Sequence, residues 1–228
     1  MSHENNFLKI PSCEELFDLE HTVARELLLR FEYPWEALAK LGEFILSLGS
    51  SLSESEYEHK GEGVWVSHSA DVCESALICG PAIIGAGTEI RHNAYIRGSV
   101  IVGKGAVVGN STELKNCIIF DGAQIPHYNY IGDSILGYKA HMGAGSIASN
   151  MRSDKASVRI KNGDEEIATS LRKLGVMLGD FAEVGCNAVL CPGSIVGRGA
   201  QIYPLARVRG TVGENCIYKD DGNIVRRD

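Results

Sequence analysis

Aromatic side chains are scarce, 7% of the 228 residues, so the core has few large groups to fill it. No C-x-x-C pair occurs among the seven cysteines (Cys13, Cys73, Cys79, Cys117, Cys186, Cys191, Cys216). An odd count, without paired spacing and behind no signal peptide, argues against a disulfide framework. It predicts free thiols in a reduced, cytoplasmic setting. Long apolar runs are missing too; the longest extend over a few residues, far short of a helical membrane span. Positive charge is in deficit. Lys and Arg number 22 against 29 Asp and Glu, for a net charge of -7. That balance disfavours nucleic acid and anionic membrane as partners, and a phosphorylated ligand would need a local basic pocket. Glycine, by contrast, is abundant at 26, which implies many tight turns. The length suits one large or two small domains.

The chain is periodic. Stepping by six from Val66 meets Val72, Ile78, Ile84, Ile90, Ile96, Val102, Val108 and Leu114, all branched aliphatics. Positions four residues further on are mostly small, as at Ala70, Ala76, Ala82 and Ala94. After Leu114 the step contracts to five once per coil, giving Ile119, Ile125, Ile131, then Leu136, Met142, Ala148. The register returns after an interruption as Leu178, Val184, Leu190, Val196, Ile202, Val208. An amphipathic α-helix repeats its apolar stripe at three and four, so a step of six is not helical. It fits three short strands per coil of a parallel β-helix, with neighbouring coils roughly 4.8 Å apart. Glycines 85, 103, 109, 132, 137, 143, 179, 185 and 197 directly follow an inward aliphatic, where the turn is expected to need permissive backbone angles.

Three stretches fall outside the repeat. Residues 1–60 read as a helical segment and linker. Ser12 and Glu15 form a possible capping box; Leu16, Leu19, Val23 and Leu27 follow at helical spacing; Pro34 is placed to begin a second helix through Leu48. Residues 49–61 read as a polar linker. The β-helix proper is expected over 61–215, with an inserted loop at 151–175. That loop holds six basic and four acidic residues, and Asn162-Gly163 suggests a hairpin turn. A tail at 216–228 suggests another, turning at Asp221-Gly222.

Candidate chemistry follows from the coil. Arg97 and Lys115 are eighteen apart and each directly follows an inward aliphatic, so they should stack one strand spacing apart. Two stacked cations repel, which suits a bound anion between them and equally describes two solvated surface charges. The stretch AQIPHYNYIGDSI (residues 123–135) places His127, Tyr128 and Tyr130 where the repeat is otherwise small or polar. A lone histidine is commonly a surface group, but an imidazole is also a natural general base near neutrality. His127 lies two short strands beyond Lys115, on another face of the prism. Trimeric association would bring faces of adjacent chains together, so a shared site between subunits is expected. The repeat's other histidines, His68, His92 and His141, form no closely spaced ligand pair with it, so no metal site is expected.

The stretch GSVIVGKGAVVGNSTELKNCIIFDGAQIPHYNYIGDSILGYKAHMGAGSIASN resembles the C-terminal acetyltransferase domain of bacterial N-acetylglucosamine-1-phosphate uridyltransferases. It is more similar still to the corresponding domain of archaeal-type sugar-1-phosphate nucleotidylyltransferases. The likeness runs from about residue 62 to 215 and includes LRKLG at the end of the insertion. It implies a mainly β fold, a left-handed parallel β-helix of hexapeptide repeats, in a cytoplasmic homotrimer. It implies transfer of an acetyl group from acetyl-CoA to the amine of an amino-sugar-1-phosphate, without a metal. His127 then matches the general base, and Asn150 a catalytic asparagine beside the sugar and thioester. Arg97, Lys115, Tyr130 and His141 match sugar-phosphate-binding positions. Ala144, Met151, Lys155, Cys186 and Pro204 match positions around coenzyme A, and the basic insertion would suit its phosphates. The match is stronger on the acceptor side, because His141 replaces an asparagine and Met151 a tyrosine. YPWEAL (residues 33–38) resembles the linker before the β-helix in sugar nucleotidyltransferases. The Gly-rich triphosphate loop of their first domain is missing, so no uridylyl transfer is expected from this chain alone. A non-catalytic sugar-phosphate or sugar-nucleotide module, serving a separate nucleotidyltransferase, remains an alternative.

Overall fold

The computed structural model describes residues 10–163, 165–219 and 222–227. The six-residue step produces a left-handed parallel β-helix of about eight turns. Val64, Ala82 and Val100 lie side by side on successive coils, and so do Asp71, Glu89 and Val107. Each coil thus hydrogen-bonds to the next, and a residue's neighbour is the one a full coil later. The inward aliphatics stack into one buried column from Ile84 to Val212. Val72 and Ile78, in the first coil, are only partly buried.

Both contractions to five fall at one corner. There Asn116 (φ 48°) and Asp133 (φ 49°) take the left-handed conformation, which asparagine and aspartate tolerate best among residues with a side chain. The glycines that follow the inward aliphatics serve a different purpose from the one expected. Gly85, Gly103, Gly109, Gly132, Gly137, Gly143, Gly179, Gly185 and Gly197 all lie outside the positive-φ set. Most are glycine because the next coil presses against them. A Cβ on Gly85 would lie 2.8 Å from the Gly103 carbonyl carbon, and one on Gly197 would lie 2.5 Å from the Glu214 nitrogen.

The prism has three faces. Two alternate in burial, one outward and one inward residue per strand, as at Glu89–Ile90 and Tyr95–Ile96. The third is buried on both sides, as at Ala82–Ile84, Val100–Val102 and Ser194–Val196. Its outward residues Ile83, Ile101, Ile118, Ile135, Met177 and Ile195 form a second core with the N-terminal segment. That segment is not two helices. It is broken into Cys13–Leu16, Leu19–His21, Arg25–Leu28, Pro34–Lys40 and Leu41–Gly49. The Ser12–Glu15 capping box is present, but the first helix stops at Leu16 because the following backbone bonds to the prism instead. Asp18 N donates to Asp180 Oδ2 at 2.6 Å, and Asp121 N donates to the His21 carbonyl at 3.0 Å. Spread flat in this way, the segment buries Phe17, Leu28, Trp35 and Ile45 on the sheet face. The stretch expected to be a plain linker contributes a strand, Tyr57–His59, antiparallel to Val64–Ser67.

The insertion carries the hairpin Arg159–Asn162 with Glu165–Ala168, whose turn includes residue 164, outside the described residues. The tail pairs Cys216–Tyr218 with Ile224–Arg226; Asp221 of the expected turn also lies outside them. The β-helix resumes after the insertion with no slip, Ile135 pairing with Met177 and Leu136 with Leu178.

Ile101 is fully buried where the two cores share a wall. Replacing it with alanine is expected to cost about 2–5 kcal/mol of unfolding free energy. Chemical denaturation checks this; a loss within the error of the method would mean the N-terminal segment does not seal that face.

Candidate functional site

Two corner columns border the face that carries Tyr130. In the first, Arg97, Lys115, Gly132, Ser149, Cys191 and Arg209 follow one another, one per coil. In the second, Asn110, His127, Ala144, Cys186 and Pro204 do the same. Each carbonyl there down to Cys186 accepts a backbone N–H from the coil above, such as Gly145 N to His127 O at 3.0 Å. The fold therefore divides the expected site residues. Arg97, Lys115, Tyr130 and Asn150 stand together on the first corner. His127 shares the second with Ala144, Cys186 and Pro204. Met151 and Lys155 lie at the mouth of the insertion, on the first side. His141 also stands away from the cation pair. It occupies the same face as Gln124, and its Nδ1 lies 2.8 Å from Glu183 Oε2. His127 to Gly132 is five residues, at most about 18 Å of extended chain.

The stacked cations are not left to repel. Arg97 Nη1 lies 2.7 Å from Glu113 Oε1, and Lys115 Nζ lies 3.2 Å from Asp133 Oδ1. Asp133 is the centre of the group. Its side chain is buried, and it also accepts from Asn116 Nδ2 at 2.8 Å and from Asn150 Nδ2 at 2.5 Å. A carboxylate accepts only, so it fixes the Asn150 amide with nitrogen inward. The other N–H of that nitrogen reaches Tyr130 Oη at 3.1 Å. Asn150 thus spends its side-chain donors inside the group and leaves its side-chain oxygen Oδ1 as an acceptor for a ligand. Burial pushes the Tyr130 phenol above its ordinary pKa, against the Asn150 amide, which lowers it. Gly132 is needed between them: a Cβ there would lie 2.5 Å from Tyr130 Oη and 2.6 Å from Asn150 Nδ2. The end of the insertion is sewn onto this corner. Leu174 N donates to the Asn150 carbonyl at 2.9 Å and Gly175 N to the Asp133 carbonyl at 2.7 Å.

His127 is exposed at the end of its strand, and no described side chain hydrogen-bonds its ring. Its backbone N–H donates to Asn129 Oδ1 at 3.1 Å. Asn129 is itself buried, its amide nitrogen bonded to the Gly143 and Ser146 carbonyls, so the strand end is held while the imidazole is free to meet a ligand. Beside it in register, Asn110 carries a buried Oδ1 without a partner. Sequence reasoning missed Glu113 and Asp133. The signal for Asp133 was present, since a five-residue step demands a left-handed corner and an aspartate fills it. Among the described residues, no group of three or more His, Cys, Asp or Glu is placed to hold a metal.

Residues 63–163 match the family model of the GMPPB C-terminal domain. The bifunctional sugar-1-phosphate nucleotidylyltransferase/acetyltransferase of Sulfurisphaera tokodaii is 35% identical over 106 residues, 46% of this chain and 26% of that protein. The bifunctional protein GlmU of Methanococcus maripaludis is 33% identical over 115 residues, 50% of this chain and 28% of that protein. The chain therefore spans little more than a quarter of the length of these relatives. A hexapeptide transferase family protein of Anaplasma phagocytophilum overlays with a TM-score of 0.41 at 18% identity, over 72% of this chain and 79% of that one. The resemblance carried by residues 97–150 is borne out: the repeat region is related to the C-terminal domains of sugar-1-phosphate nucleotidylyltransferases.

Replacing Asp133 by asparagine leaves Lys115 without its counter-charge and sets an N–H donor against one of the two amide donors. Asp133→Asn is expected to lower stability by about 2–4 kcal/mol, somewhat less than the loss of a fully buried pair because Lys115 is partly solvated. Arg97→Ala should leave the denaturation midpoint almost unchanged. Equal midpoints for the two variants would remove Asp133 as the centre of the group.

Proposed function

We propose that the chain is an acyltransferase that moves an acetyl group from acetyl-CoA to the amine of an amino-sugar-1-phosphate, as a homotrimer with its sites between chains. The observation that carries this is the arrangement of His127. Its imidazole has no described partner, and it heads a column of Ala144, Cys186 and Pro204 along which a thioester arm can lie. The polar group of Arg97, Lys115, Tyr130 and Asn150 stands at the far edge of the same face. Packing the His127 corner of one chain against the Lys115 corner of the next closes the gap between base and acceptor.

The chemistry then proceeds as follows. Neutral His127 takes a proton from the sugar amine as its nitrogen attacks the thioester carbonyl carbon. The C–N bond forms, the tetrahedral intermediate collapses, and the C–S bond breaks. The departing thiolate of coenzyme A takes the proton back from the imidazolium. Asn150 presents an acceptor oxygen that suits a sugar hydroxyl or the attacking amine. Lys115 and Arg97 keep spare N–H donors for the sugar phosphate although each already holds a carboxylate. A second reading, a sugar-phosphate or sugar-nucleotide module without turnover, is favoured by that same pairing, because it cancels the net charge of the cradle.

A free-thiol assay with acetyl-CoA and glucosamine-1-phosphate separates the two. Turnover by the native chain, reduced about 10²–10⁴-fold in His127→Ala, is the expected result. An undiminished rate in the variant would remove the base. No turnover, with the sugar phosphate still raising the melting temperature, would leave the binding module.

The shared site is checked by complementation. His127→Ala and Lys115→Ala are each expected to be inactive. Random mixed trimers of the two should recover about a quarter of the native sites, since some pair an intact imidazole with an intact ammonium. Mixed assemblies as inactive as their parents would place both residues on one chain's site.

A further inference from the structure

The first corner column does not end at the acceptor group. Beyond Ser149 it passes under the insertion, through Cys191 to Arg209, and there a cavity of about 900 Å³ opens between the insertion and the last coils. That volume is at the upper end of the range for small-molecule sites and exceeds what a hexose phosphate requires. Its wall carries Arg152, Lys155, Arg159, Lys161 and Arg209 against only two carboxylates, Asp154 and Glu166. Three cations in excess line one pocket of a chain whose net charge is -7.

The excess is real in the geometry. Arg152 lies 2.6 Å from Asp154, and Lys161 and Arg159 lie 3.2 Å and 3.6 Å from Glu166. Lys155 and Arg209 have no described counter-charge. The hairpin holds its basic groups in place. Val158 and Ile160 are buried in the second core, so the alternating residues Arg159 and Lys161 are held on the pocket side. Gly193 and Gly210 let it approach: a Cβ on either would meet Val158 at 2.7 Å or Lys161 at 3.2 Å. The Arg97–Lys115 pair, by contrast, is neutralised within the chain.

We infer that this pocket is a diphosphate-binding site, which takes the nucleoside-diphosphate end of a nucleotide-bearing substrate. It begins at Ser149 and Met151, immediately beside Asn150, and so continues the acceptor corner. Arg209 stands two coils beyond Ser149, about 10 Å along the axis, a distance that a sugar joined to a diphosphate covers. Within one chain the His127 column is on the opposite edge of the Tyr130 face, but in the proposed trimer a neighbour's column approaches this corner, so coenzyme A is the competing source. The assignment rests on the acyltransferase reading for the sugar and narrows its acceptor to a nucleoside-diphosphate sugar, whose anomeric phosphate lies in this pocket and not on Lys115 and Arg97; the anion site stands without it. Coenzyme A carries the same diphosphate chemistry, and the test separates the two sources.

Binding of inorganic pyrophosphate to the full chain is measured by calorimetry at low salt. The Lys155→Ala/Arg209→Ala double variant and Arg97→Ala are measured alongside. The double variant is expected to bind at least about tenfold more weakly, having lost two charge-assisted contacts, and Arg97→Ala to bind as the native chain does. Absent binding, or a loss confined to Arg97→Ala, overturns the site. Competition names the source: displacement by UDP assigns the pocket to a nucleotide-bearing acceptor, and displacement by coenzyme A alone assigns it to the donor and overturns the acceptor assignment. Displacement by neither overturns the site itself. A chain that binds pyrophosphate here but releases no thiol from acetyl-CoA keeps the pocket and loses the acyltransferase reading.

Discussion

Backbone hydrogen bonds between successive coils set every other relation in the molecule. They place each residue over the one a coil later, at about one strand spacing, and leave no freedom to slip. Side chains then act as columns. An inward column is a core, and a corner column is a line of chemistry. The coils are close enough that a β-carbon at Gly85 or Gly197 would strike the next turn of chain, so tight stacking adds to the positive-φ turns in explaining the abundance of glycine. The same closeness brings Lys115, Gly132 and Ser149 into line and makes a polar corner possible.

Stacking has an electrostatic consequence. Like charges repeated at one position lie within a few ångströms of each other, and the chain answers with carboxylates from its own corner. Glu113 and Asp133 hold Arg97 and Lys115 in place and cancel their charge. Asp133 in turn orients Asn150, and Asn150 orients toward Tyr130. The group is structural and chemical at once: the contacts that keep the corner folded also decide which atoms face a ligand. Cations that escape this compensation, Lys155 in the insertion and Arg209 in a later coil, line the pocket beneath the insertion.

Much of this was legible in the sequence, for a definite reason. A six-residue step has one structural meaning, so the inward column from Val66 to Val208 and the two five-residue corners could be read directly. The stacking of Arg97 on Lys115 followed from counting. The third face was harder. Its strands read AII, VIV and SIV, where the other two faces read EI or YI, and a run of apolar residues is the mark of a sheet covered on both sides. That contrast was present but easily lost in the aliphatic period. The N-terminal segment misled because leucines at helical spacing suggest a cylinder, whereas its backbone bonds are diverted to Asp180 and Asp121. Partners across coils, such as Glu183 for His141, depend on the exact length of the insertion and were out of reach.

The insertion itself leaves the frame untouched. Ile135 pairs with Met177 as if nothing intervened, and Leu174 and Gly175 close the excursion on fixed carbonyls. The energetic penalty of such an excursion is that of closing a loop, which grows by only about 0.6 kcal/mol for each doubling of length. Lengthening this segment therefore costs the prism little as long as Val158, Ile160 and Leu174 keep their places in the second core. At the insertion, ligand choice can therefore change while the register of the prism is inherited, whereas at the Asp133 corner fold and ligand contacts are one set of bonds and change together.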